Sequence, residues 1–248
     1  MNKITSGATF TFTSANTAFS SYLYDNRRQF KLTSIGSNDA TPEVWIIDFG
    51  VSTTIDRIYI DNHNIKSGDL KYWDGAAYVD FSSAISWSAN AEATNYYEFN
   101  SVSTAKIRLT MNTTMVVDAQ KFVGELRAFV ETGTVSVNPA SNDFEIAEKS
   151  QINYVSDGGS IRVSFGEKYH ADIMFSDANA ADMTLFRTLK DSDDPFYFFP
   201  CGGITTYDQE GFRLRDMYLC NWINSFKPSL KSDLLGIGTS IRMELAEV

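Results

Sequence analysis

Two histidines, His63 and His170, and two cysteines, Cys201 and Cys220, are all that this chain of 248 residues offers in those types. Acid–base catalysis, metal ligation and thiol attack each require such groups in company, with a base, a second ligand or an orienting acid at a recognisable spacing. That company is missing: HExxH, GxSxG, Walker, GxGxxG and paired CxxC patterns do not occur, and no Cys-His or Ser-His pair has supporting context. Each histidine therefore reads as a satisfied polar residue. The cysteines, 19 positions apart and both beside aromatic segments, read as small hydrophobes rather than as a disulfide or metal site. A glycosidase would need two carboxylates facing across a cleft, and no pair stands out among the 31 acidic residues. The sequence thus predicts neither an enzyme nor a cofactor.

Composition narrows the field further. Hydrophobic residues at 43% and charged residues at 21% are globular values, and aromatics at 14% with frequent Thr, Val and Ile favour strands. The length suits one large domain or two ordinary ones. No apolar run approaches the ~18 residues of a membrane span, so no membrane insertion is expected, and the first ten residues lack the apolar stretch of a secretory signal. Two cysteines fit a reduced compartment. A net charge of −10 argues against a large nucleic-acid surface, which needs clustered Lys and Arg.

Residues 4 to 131 divide into short β-segments, among them 44–49, 55–61, 70–73, 96–99, 106–111 and 122–130, with the one-sided alternation of half-buried strands at Val44-Trp45-Ile46-Ile47 and Ile55 to Ile60. Asp74-Gly75 marks a hairpin turn ahead of Tyr78. The small polar stretch 133–142 reads as a linker, giving a first domain over 1–132 and a second over 143–248. In the second, segments 151–156 and 160–165 flank a Gly-Gly turn. One helix is expected over about 177–190, capped by Asp177, with Ala181, Leu185 and Leu189 as its apolar stripe. Further strands follow at 196–199, 212–223 and 237–245. The fold class is mainly β: a sandwich, then a sandwich or barrel with one flanking helix.

Val44-Trp45-Ile46-Ile47-Asp48-Phe49-Gly50, Lys71 to Tyr78 with its Asp-Gly turn, Ala105 to Thr110 and Gly124 to Phe129 occur in the order of the discoidin-like domains, the coagulation factor 5/8 C type of galactose-binding-like β-sandwich. The first half of the chain resembles that family. The resemblance implies a sandwich whose loops contact sugars or lipids, and a structural calcium for which Asp25, near Asn26, and the final Glu125 are the candidates. Read without it, both acids are capping or backbone-bonding groups. For a sugar, Trp45 belongs to the core, whereas Trp73, Tyr78 and Trp87 lie near turns where aromatic faces can stack a ring.

The second half looks like the distal-tail and tube proteins of tailed phages, on its element order, the run Pro195 to Gly203 and the last strand Ser240 to Leu245. That resemblance implies a homo-oligomeric ring, hexameric by the family's habit, at the tail tip or baseplate. Its neighbours would be tube, hub and tape-measure proteins, and DNA would pass through the lumen. The protein would be made in the host cytoplasm and carried in the virion. Arg162 and Arg242, alternating with apolar residues, become candidates for intersubunit ion pairs. Acidic residues outnumber basic ones 14 to 11 over 1–132 and 17 to 10 over 133–248, a bias that suits an acidic lumen and equally a solvated surface. The main expectation is a tail structural protein with an outward discoidin-like domain for protein or host-glycan contacts; the alternative is a stand-alone carbohydrate-binding module or lectin.

Overall fold

A computed structural model describes residues 8–25, 30–36, 39–133, 135–136, 139–154, 160–192, 195–198, 218–233 and 236–247. Two compact units emerge, one over the described residues up to Glu131 and one over those from Thr132.

The first unit carries strands β1 (Thr9–Phe12), β2 (Leu32–Thr33), β3 (Glu43–His63), β4 (Ile65–Trp73), β5 (Tyr78–Val79), β6 (Ile85–Trp87), β7 (Asn95–Thr114) and β8 (Phe122–Phe129), with a 3-10 helix over Thr17–Leu23. They form one eight-stranded sheet in the order β2-β8-β3-β7-β4-β5, with β1 on β3 and β6 on β4. The long β3 and β7 pair antiparallel from Glu43↔Met111 to Ile60↔Asn95, and the register slips between Asp48↔Lys106 and Thr53↔Thr104. Within that slip Gly50 takes φ +77°, a left-handed conformation that favours glycine, and its N–H donates to Asp48 Oδ1 at 2.9 Å. Before the bulge β3 lies between β1 and β7; after it, between β7 and β8. The ribbon turns the sheet over onto itself, and residues from both halves fill one core: Trp45 and Ile47, then Ile55, Ile58 and Ile60, against Leu70, Leu109, Val123 and Leu126.

Alternation along each strand decides which side chains enter that core. Trp45 is fully buried, as its place in the sequence implies, and its Nε1 donates to Glu43 Oε1 at 3.1 Å, so the indole's one polar atom is satisfied. Val44, Ile46 and Asp48 point the other way and are half-buried.

In the second unit β9 (Pro139–Tyr154) and β10 (Ser160–Ala178) pair antiparallel from Ser160↔Tyr154. They join β11 (Phe196–Phe198), β12 (Tyr218–Trp222), β13 (Ser229–Asp233) and β14 (Gly236–Glu247) in a six-stranded sheet ordered β11-β12-β14-β10-β9, with β13 on β14. Neither sheet closes into a barrel. The chain is mainly β, with a single α-helix, α1 (Ala180–Asp191), among the described residues. Phe186, fully buried on α1, meets Phe175 at 5.0 Å and Trp222 at 6.0 Å between ring centroids.

Two expected boundaries move. Residues 139–142, read as linker, belong to β9, where Asn142 pairs with Ile173 and Ser141 with Met174. The helix starts later than Asp177, because β10 continues through Ala178, which pairs with Thr239. Asn179 is the cap: its Oδ1 accepts from the Ala181 and Asp182 N–H groups at 2.8 and 2.9 Å, and Asp182 Oδ2 accepts from the Asn179 N–H at 3.1 Å. Cys220 is buried in β12, whereas Cys201 lies outside the described residues.

Candidate functional site

The outward side of β3, β7 and β4 in the first unit gathers the chemistry that the core excludes. Register places Ile46 opposite Arg108 and Asp48 opposite Lys106 on one flank, and Lys71 opposite Arg108 and Asp69 opposite Thr110 on the other. Along β4 the residues Asp69, Lys71 and Trp73 fall on this side, two positions apart, while Leu70 and Tyr72 face the core.

The face ends in an aromatic pair. Trp73 stands opposite Tyr78, their centroids 5.1 Å apart and their planes at 63°, and both are half-buried. The intervening turn fixes them. Asp74 Oδ1 accepts from the Ala76 and Ala77 N–H groups, both at 2.8 Å, Asp74 N–H donates to Ala77 O at 3.0 Å, and Gly75 supplies φ +108°. These backbone donors, Ala77 first, hold the Asp74 carboxyl below its ordinary value. On the other side the buried Thr104 takes the Trp73 N–H on its Oγ1 at 3.2 Å, which pins the strand end. The Arg108 guanidinium lies 4.8 Å from the Tyr78 centroid, a cation over an aromatic face. Lys71 pairs with Asp80 at 3.2 Å and Lys106 with Asp48 at 2.8 Å. Lys106 lowers the Asp48 pKa, chiefly by its hydrogen bond.

Trp87 does not join this pair. It stands opposite Gly68 on β4, packs against the core, and donates its Nε1 hydrogen to Tyr97 Oη. Because Gly68 and Trp73 are five positions apart, their sides of the strand differ. The expected three-ring platform is therefore two rings, Trp73 and Tyr78. Arg108 and Asp69, which sequence reasoning passed over, stand on the same face; the period of two along β4 was the signal that would have found Asp69.

The calcium candidates lie elsewhere. Glu125 on β8 is fully buried opposite Asp61 of β3, and Arg127 occupies its Oε2, with Nη2 and Nε both at 3.3 Å. Its Oε1 has no hydrogen-bond partner among the described residues. Burial pushes the Glu125 pKa up to about 7, Arg127 opposes the shift, and the nearby Asp25 and Asp61 add to it. Asp61 Oδ1 in turn accepts from Thr94 Oγ1 at 2.6 Å. Asp25 and Glu125 are thus neighbours, yet no group of three or more His, Cys, Asp or Glu that could hold a metal assembles among the described residues. The cation beside Glu125 is a guanidinium. Asn26 lies outside the described residues.

His63 is a core polar residue. Its Nδ1 accepts from the Ile65 N–H at 3.1 Å, so the proton sits on Nε2, 2.7 Å from Asn95 Oδ1, and burial lowers its pKa. In the second unit Arg242 is committed within its own sheet, where its Nε lies 2.8 Å from Asp172 Oδ1 and its Nη2 bonds Oδ2. That pair lies within one chain, and the Arg242 side chain is 61% exposed beside it. Arg162 stands opposite Ile152 in β10, and its side chain lies outside what is described. His170 Nε2 is 3.4 Å from Glu244 Oε1.

No family and no curated protein matches the chain. Solved structures similar to it include chitosan-binding module 1 of a chitosanase/glucanase from Paenibacillus sp. IK-5, at 12% identity over 52% of this chain and 99% of that one, TM-score 0.44. Another is CpGH89CBM32-5 from Clostridium perfringens, in complex with GalNAc-β-1,3-galactose, at 16% identity over 51% and 97% of the two chains, TM-score 0.42. A putative α-L-fucosidase from Bacteroides thetaiotaomicron is similar at 13% identity over 52% of this chain and 29% of that one, TM-score 0.45.

Proposed function

We propose that the first unit is a non-catalytic carbohydrate-binding module that stacks a sugar ring on Trp73 and Tyr78. One observation carries the reading: two half-buried aromatic rings held at a fixed angle by a hydrogen-bonded turn, at the end of a face that also carries the hydrogen-bonding groups of Asp69, Lys71 and Arg108. Sugars present an apolar C–H face and a rim of hydroxyls, and such a site answers both. A pre-set pair loses little rotamer entropy on binding. The test is binding to immobilised neutral glycans by surface plasmon resonance. Wild-type protein is expected to bind and Trp73→Ala to lose binding while keeping its melting midpoint within a few degrees; equal binding by both proteins would end the reading.

A second reading, a ring component of a phage tail tip carried in the virion, is favoured by β9. This strand of 16 residues pairs with β10 along one side and with no other strand among the described residues, and an open edge of that length invites a strand from another copy. Sedimentation of the purified protein tests it. A closed oligomer supports the ring, and a monomer at micromolar concentration removes it. The two readings address different units and are compatible.

A further inference from the structure

Two charged side chains on the aromatic face have no hydrogen-bond or ion-pair partner among the described residues. Arg108 makes neither a hydrogen bond nor an ion pair; it only lies over Tyr78, and its Nε is shielded from solvent. Asp69, its diagonal neighbour across β4 and β7, likewise makes none, and its Oδ1 is shielded too. Their neighbours Lys71 and Lys106 are matched by Asp80 and Asp48. A guanidinium and a carboxylate left unspent side by side, one a pure donor and one a pure acceptor, suit a ligand whose groups both give and take hydrogen bonds.

Position then sets the ligand's length. Asp69 and Trp73 point outward from one strand four residues apart, roughly 13 Å at strand rise. A single pyranose stacked on Trp73 is too short to reach Asp69. Arg108, opposite Lys71, sits midway. Resting on the glycan-binding reading above, we infer that this face binds a linear neutral oligosaccharide laid along β4, with one ring on Trp73 and Tyr78 and hydroxyls of a following unit accepting from Arg108 and donating to Asp69. The opposed charges select neutrality: Asp69 repels the carboxylate of a uronic acid, and Arg108 repels the ammonium of an amino sugar.

Isothermal titration of the full chain tests this with β-1,4-linked oligomers of glucose, galactose and N-acetylglucosamine, one to six units long, and with galacturonate oligomers. For at least one neutral series, affinity is expected to rise from one unit to three and then level. Asp69→Ala and Arg108→Gln should each weaken the trimer about tenfold or more, as loss of a charge-assisted hydrogen bond does, and the loss in Asp69→Ala, roughly 13 Å from the ring pair, should spare the single-unit sugar. Trp73→Ala should abolish binding of both. A monosaccharide bound as tightly as the trimer, or a trimer insensitive to both substitutions yet lost in Trp73→Ala, overturns the chain-binding inference and leaves the module standing. Tighter binding of the galacturonate series overturns neutrality. If wild-type protein binds none of the four series, the inference and the proposed function fall together.

Discussion

Glu125 should make the first unit less stable as pH rises through neutrality. Its carboxyl is fully buried, and its pKa is pushed up from the ordinary 4.5 to about 7. A folded state that holds its proton more tightly than the unfolded one binds more protons between those values, so this group's stabilisation is complete below pH 4.5 and is lost as pH passes 7. The gap amounts to about 3 kcal/mol. His63 acts in the opposite sense over part of the same range, since its lowered pKa makes stability grow as pH rises toward 6.5. Asp48 and Asp74, both held below 3.8, act only at lower pH. The informative quantity is therefore the difference between wild type and Glu125→Gln, which keeps the shape and the neutral form. Amide hydrogen exchange of the paired segments 58–61 and 125–128, corrected for intrinsic rates, reads opening free energies in this unit alone. Glu125→Gln should match wild type near pH 4.5 and exceed it by about 3 kcal/mol above pH 7.5. Parallel profiles for the two proteins would refute the reasoning.

Other perturbations follow from single contacts. Trp45→Ala removes a fully buried indole and its bond to Glu43, and should cost about 3 to 5 kcal/mol in urea denaturation. At Gly68 an added Cβ would lie 2.1 Å from Thr110 O, so Gly68→Ala should force β4 from β7 at a cost of about 1 to 3 kcal/mol, visible as a lower melting midpoint. Asn179→Ala removes the cap of α1 and should cost the second unit about 1 kcal/mol, read by exchange of the 181–186 amides. Trp73→Ala, by contrast, deletes one half-buried ring of a pair and should cost about 1 kcal/mol.

How far the sequence speaks depends on whether a feature is local. The alternation through Val44 to Ile47 puts Trp45 inside, and Asp74-Gly75 brings Tyr78 opposite Trp73, because both depend on neighbours in the chain. The place of Trp87 depends on its pairing with Gly68, nineteen positions earlier, and no local pattern reports which side of β4 that position faces. The helix start illustrates competing local signals. Asp177 and Asn179 are equally able caps, and the pairing of Ala178 with Thr239 settles the choice in favour of Asn179. Segments 44–49 and 55–61 look like two strands in sequence. In the structure they are the two halves of β3, continuous through the turn at Gly50. Glu125 reads in sequence as a calcium candidate or a capping acid, and its complete burial shows only in three dimensions. Arg108 and Asp69 escape notice because lone charges on alternating strands resemble solvated faces; their missing partners are visible only in three dimensions.

The two sides of β4 are linked by register. A one-residue slip of β4 against β7 would send Leu70 outward and Trp73 into the core, so every kilocalorie that fixes Leu70 against Leu109 also fixes Lys71 opposite Arg108 and keeps Trp73 outward. Gly68 strengthens this lock, because only a residue without a side chain tolerates the approach of Thr110 O, and a slipped register would present Ser67 or Asp69 there instead. The spacing of the outward side chains is therefore inherited from the packing of the inward ones. On the proposed glycan-binding reading, a strand that cannot adjust its step favours a partner with a regular repeat of its own over one of irregular shape.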